Sequence, residues 1–220
     1  MPKKPEKGSD RPRAWLYGVL NPLVEALARE KELLARGNLT WRHRTGRPEF
    51  LATPEQYLNV SGRANLRDLL RFYPDVAAQI QRHDELLQDA VAAAKVVYDE
   101  LMSSPDFDQH AMLAASEWKL AFPEEAQFWS SPAQLKGLAA ERIINEIDEV
   151  PGHYVDSSFW SIAKQGLARF STGAAMLELK RRRALLAADT DDLLRTLNAL
   201  QDTICDEYDL PPAPFSVQAP

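Results

Sequence analysis

The stretch PDVAAQIQRHDELLQDAVAAAKVVYDELMSS, residues 74–104, decides how this chain is read. Val76, Ile80, His83, Leu87, Ala90, Ala94, Val97 and Leu101 recur four and three residues apart, which keeps them on one side of an α-helix. Leu86, Val91, Tyr98 and Met102 widen that side, so neighbours can pack along both flanks. Pro74 suits a first turn, where no N–H is needed, and Pro105 marks the end. At 1.5 Å per residue the rod spans about 45 Å. The pattern predicts a mainly α fold, a multi-helix bundle around one long central helix over about 74–104.

The composition of that stripe says what covers it. Ala90 and Ala94 are small and His83 is polar, whereas a self-associating coiled coil favours larger branched residues. The stripe is therefore expected to be buried within the chain, with partner helices at Leu135 to Ile147 and Leu193 to Tyr208. His83 reads as a hydrogen-bonded core or interface histidine rather than a ligand.

Moving toward the N-terminus, Leu66, Leu69, Leu70 and Phe72 predict a helix from Asn65 to Tyr73. Thr53, Pro54, Glu55 and Gln56 form a capping signature that opens a shorter one. The segment NLTWRHRTGRPEFLA, 38–52, does not read as helix and is expected to be a small β-hairpin or an irregular loop. A Thr45-Gly46 turn would pair Arg44 with Arg47, Arg42 with Glu49 and Trp41 with Phe50. In that register the aromatic rings face the body, while Arg42, Arg44, Arg47 and Glu49 face out. Before it, Trp15 to Leu20 predicts a short helix. Asn21 is expected to cap a second, from Pro22, bearing Leu23, Leu27, Leu33 and Leu34 and stopped by Gly37. Residues 1–13 are polar, basic and proline-bearing, as a disordered tail would be.

Toward the C-terminus, helical spacing predicts segments over Asp106 to Ala121, Ser131 to about Glu149, from Asp156 or Ser157, and Thr172 to Ala188. Asp189 or Thr190 is expected to cap a last helix whose Leu193, Leu197, Leu200, Ile204 and Tyr208 form a second stripe. Residues 210–220 are proline-rich and predict a disordered tail, leaving 14–209 as a single helical domain.

Of 220 residues, 45% are hydrophobic, enough for a substantial core. The one cysteine, Cys205, excludes an intrachain disulfide and a four-thiolate metal site and points to a reducing compartment. No apolar run approaches the ~18 residues of a membrane span, so the expectation is a cytoplasmic protein. The net charge of −6 conceals an asymmetry. Lys3, Lys4, Lys7, Arg11 and Arg13 gather early, and Asp202, Asp206, Glu207 and Asp209 late, so the two ends can meet opposite partners or each other.

Phosphate-binding glycine loops, nucleophile elbows and HExxH or ExxH pairs are missing from the sequence, so neither cofactor nor metal is expected. Asp106, Asp108 and His110 carry ligand-type atoms, yet acidic groups after a proline complement a helix start. Glu146, Glu149 and His153 read as solvated surface. Arg36 and His43 satisfy the arginine–histidine spacing of HEPN-type ribonucleases, but the segment reads as extended where that family has a helix. The basic run of Lys180, Arg181, Arg182 and Arg183 winds around a helix and cannot all face one phosphate backbone; Glu178 is placed to pair with Arg182.

The expected function is a non-enzymatic helical accessory or scaffold subunit that binds a protein partner in a larger complex. One alternative is a nucleic-acid-contacting subunit using the basic N-terminal region and the Arg42, Arg44, Arg47 ribbon. Trp41 would stack on a base there, and Lys180, Arg181 and Arg183 are the other candidate partner or nucleic-acid contacts. The second is an enzyme with an unrecognised site, of which the HEPN-like ribonuclease is the most concrete form.

Overall fold

The computed structural model describes residues 4–35, 40–42, 48–105, 108–109, 140, 144 and 173–211. It is mainly helical: α1 (Asp10–Trp15), a π-helical turn (Leu16–Leu20), α2 (Asn21–Ala35), α3 (Val60–Leu70), α4 (Pro74–Ser103) and α5 (Ala174–Tyr208). Between α2 and α3 lie β1 (Thr40–Arg42), β2 (Pro48–Phe50) and a 3-10 turn (Pro54–Tyr57). The expected segments over 110–139 and 145–172 lie outside the described residues.

The first three helical pieces form one uninterrupted run, and Pro22 explains its middle. Proline has no N–H to give the carbonyl of Gly18, so the backbone widens over Leu16–Leu20 and the Asn21 N–H reaches Leu16 O instead. Asn21 has helical dihedrals (φ −58°, ψ −52°) and is not the cap that the sequence suggested. Its Oδ1 accepts a hydrogen bond from Gln201 Nε2 at 2.8 Å. Against the same turn packs α3, which starts at Val60, five residues earlier than expected. Asn59 caps it, accepting the Gly62 N–H at 2.7 Å. Gly62 is required there: a Cβ on it would lie 2.9 Å from Gly18 O.

The ribbon is antiparallel, with Thr40 opposite Phe50, Trp41 opposite Glu49 and Arg42 opposite Pro48. This is one residue out of the register expected from a two-residue Thr-Gly turn. Since facing positions alternate, the shift separates Trp41 from Phe50 and Arg42 from Glu49.

Helix α4 runs over 30 residues, and all eight stripe positions from Val76 to Leu101 are buried within the chain. Helix α5 corrects the sequence reading most. Where two helices were expected, split by a cap at Asp189 or Thr190, one helix of 35 residues passes straight through. Both residues are buried and bonded sideways to other helices. It ends with Asp209 in the left-handed region (φ 53°) and the Leu210 N–H returning to Cys205 O at 3.0 Å, ahead of Pro211.

The chain divides into two compact units. One combines residues 1–32, 52–88 and 185–220. Its core is Trp15, Val19, Leu20, Leu23, Val24 and Leu27 packed with Leu66, Leu69, Val76, Ile80, Leu193, Leu197 and Ile204. The N-terminal basic residues belong to it and meet the acidic end: Lys4 Nζ lies 2.8 Å from Glu207 Oε1 and Lys7 Nζ 3.0 Å from Asp209 Oδ2. Arg11 grips Asp68 with two nitrogens, stacks over Trp15 and Phe72, and shares Asp68 with the Trp15 indole N–H at 3.0 Å. Helix α1 thus begins inside the stretch expected to be a tail. The other unit comprises residues 33–51 and 89–184, with Ala90, Ala94, Val97, Leu101, Ile144, Met176 and Leu179 buried.

Candidate functional site

Three helices of the first unit each place a polar residue where their spacing calls for an apolar one. On α2, Glu30 follows Leu23 and Leu27 on the buried face; on α4, His83 sits between Ile80 and Leu87; on α5, Asp189 and Thr190 sit between Leu186 and Leu193. Glu30 and His83 have essentially no exposed surface, and Asp189 and Thr190 are buried. His83 Nδ1 lies 3.2 Å from Asp189 Oδ2, and Nε2 lies 3.1 Å from Glu30 Oε1. The first is a hydrogen bond; the second is an ion-pair distance at which Nε2 lacks hydrogen-bond alignment.

The surroundings add polar partners. Thr190 Oγ1 lies 3.0 Å from Glu30 Oε1 and 2.8 Å from Leu186 O, so its single hydrogen serves two acceptors. The exposed Arg82 reaches Asp189 Oδ1 with Nε at 3.0 Å. Glu30 Oε2 and Asp84 Oδ1 are buried and accept no hydrogen bond.

Burial is the largest single influence on the His83 ring and opposes its charge. It is outweighed by the two flanking carboxyl groups, Glu30 at close ion-pair range and Asp189 through its charge and hydrogen bond, so the imidazole is held above its ordinary value. For half-buried Asp84 the balance is the reverse: loss of solvent raises its carboxyl, and the charge on His83 offsets that only in part. A ring with no exposed surface cannot meet a substrate in this conformation. What the cluster can do is hold a proton and tie α2, α4 and α5 through it.

The structure treats the predicted contact residues differently. Trp41 and Arg42 lie on β1, and Arg44 and Arg47 lie outside the described residues, as do Arg36, His43, His110 and His153. Arg181 is exposed and spans Glu178 with two bonds of 2.8 and 2.7 Å. Arg182 shares that carboxylate at 2.6 Å, the i,i+4 pair expected from the sequence, and also meets Asp89. Hydrogen bonds from Arg181 and Arg182 together lower the Glu178 carboxyl to about 2. Arg183 is buried, with its guanidinium on the carbonyl of Ile144. Lys180 is half-buried. Among the described residues no cluster of three histidine, cysteine or acidic groups is arranged to hold a metal ion. No described helix is long and apolar enough to cross a membrane.

Glu30 and Asp189 were missed as partners of His83, and Thr190 as a partner of Glu30. Their signal was present: a charged or polar residue at a core position on each of two other helices needs a buried partner of its own. Compared with known proteins, the sequence matches no family model, no curated protein and no solved structure.

Proposed function

We propose that this chain is a helical accessory or scaffold subunit that binds a protein partner, and that α5 supplies part of the contact. The observation that carries this reading is the outer face of α5, where Leu177, Ala184, Leu185 and Ala188 are all exposed. They are spaced at i, i+7, i+8 and i+11 on one helical face, with Arg181 set among them at i+4 and Asp192 and Arg195 beyond. Small residues beside the two leucines suit close approach by another helix, and an exposed apolar helical face with charges set into it suits protein contact. Several basic side chains proposed for nucleic acid already have acidic neighbours: Lys4 on Glu207, Lys7 on Asp209, Arg181 on Glu178. That weighs against the polyanion alternative for those residues.

The test is purification of tagged protein from its native host, alongside a Leu177→Glu, Leu185→Glu variant shown to be folded by circular dichroism. A partner retained by the wild type and lost by the variant supports the reading. Equal recovery with both removes α5 from it, and a co-purifying nucleic acid released by moderate salt favours the alternative.

A further inference from the structure

We propose that His83 is a proton-operated clasp: its charged ring joins Glu30 of α2 to Asp189 of α5, and loss of the proton releases α2. The argument begins with a count of hydrogens. An imidazolium has two N–H groups: Nδ1 is hydrogen-bonded to Asp189 Oδ2 at 3.2 Å, and Nε2 stands at an ion-pair distance of 3.1 Å from Glu30 Oε1, where the positive ring faces the carboxyl group. A neutral ring has one N–H, so one nitrogen must turn a lone pair toward a carboxyl oxygen in a site without solvent.

The surroundings determine which contact fails. Asp189 is held from its other side by Arg82, and its bond to Nδ1 is aligned, so that contact keeps the remaining hydrogen. Glu30 is left facing the Nε2 lone pair, with Oε2 already unpartnered. Among the described residues its relief is Thr190, whose hydroxyl can favour Glu30 over the Leu186 carbonyl.

Every element around the ring contributes charge or a titratable group. Helix α2 brings Glu30, and Lys31 bound to Asp191 at 3.0 Å; α4 brings Arg82 and Asp84; α5 brings Asp189 and Asp191. From the 3-10 turn, Glu55 acts on Asp84, and Tyr57, held up mainly by burial, feels Glu30. Among these described groups the carboxyls outnumber the cations, so removing the ring's charge leaves a repulsion that Arg82 and Lys31 offset only in part. His83 is raised above its ordinary value of 6.5. Its contribution is therefore complete below that value and lost as pH rises through the higher folded one.

The experiment uses the full chain alone. Hydrogen-exchange protection of the amides flanking Glu30 is measured at about pH 6 and about pH 9, corrected for intrinsic exchange, beside NMR titration of the four histidines with His83→Gln for assignment. Protection in the wild type should fall about tenfold or more at the higher pH, and the His83 resonance should titrate above the ordinary imidazole range. In Glu30→Gln the amide can donate to the neutral ring, so its protection should no longer fall. Wild-type protection that does not change with pH overturns the proposal. So does a loss in Glu30→Gln equal to that of the wild type, or a His83 titration at or below the ordinary value. The wild-type readouts decide the matter even where a variant fails to fold.

Discussion

Gly62→Ala sets two well-calibrated effects against each other. Alanine is favoured over glycine inside a helix by about 1 kcal/mol, so the substitution in α3 should stabilise if the site has room. It has none. The added methyl would lie 2.9 Å from Gly18 O, 3.2 Å from Asn59 Oδ1 and 3.2 Å from Leu58 Cβ. The closest of these is backbone, fixed by the widened turn that Pro22 imposes, so relief requires α3 to move off the turn. Overpacking of this kind costs about 1–3 kcal/mol, and displacing Asn59 endangers a cap worth about 1 kcal/mol. The net expectation is a loss of about 1–2 kcal/mol. Gly18→Ala is the internal control, since its methyl would meet only Asn65 Nδ2, at an ordinary 3.6 Å. It should be neutral or stabilising by up to about 1 kcal/mol. Urea denaturation reads both as shifts in midpoint at unchanged slope. A Gly62→Ala protein as stable as the wild type, or two variants that shift in the same direction, would refute the close-packing argument.

Ala94→Glu should cost about 3 kcal/mol or more, because Ala94 is fully buried and the new carboxylate has no partner; a variant that stays folded while a wild-type dimer becomes monomeric in light scattering would contradict burial within the chain. Hydrogen bonding to Arg11, then to the Trp15 indole, holds the Asp68 carboxyl below the usual carboxylate range against the opposing effect of burial. That contribution is present above the unfolded carboxylate value and fades as pH falls through the folded one, so Asp68→Asn should lower thermal stability at neutral pH and converge with the wild type in acid. Lys4→Ala with Lys7→Ala should leave the urea midpoint nearly unchanged, since both pairs are solvent-exposed and screened.

Where apolar spacing alone was at issue, the sequence could be read correctly. The stripe from Val76 to Leu101 and its burial followed from a repeat that solvent and core sort unambiguously. Errors came where a residue type has two uses. Asn21, Asp189 and Thr190 all belong to the capping class, yet each turns its side chain inward to another helix, a choice made by partners far along the chain. The apolar spacing that set the expected start of α3 at Asn65 carried no sign of Gly62, whose missing side chain lets α3 approach Gly18. The ribbon's register depended on loop length, which Thr45-Gly46 specifies weakly. The His83 cluster was half visible: the histidine stood out on its stripe, but which acids would reach it required the tertiary fold.

The bond from Thr190 to Glu30 spans 160 positions of chain, and that from Gln201 to Asn21 spans 180. During synthesis, α1 to α3 leave the ribosome with Leu20, Leu23 and Leu27 uncovered and must wait for α5 before their core can close. Contacts so distant are slow to form, because loop-closure entropy is lost before burial repays it, and the waiting intermediate exposes the surfaces that drive aggregation. Ribosome-bound chains halted before residue 185 should therefore recruit holdase chaperones through α2, and release them only after the segment from Leu193 to Tyr208 has emerged.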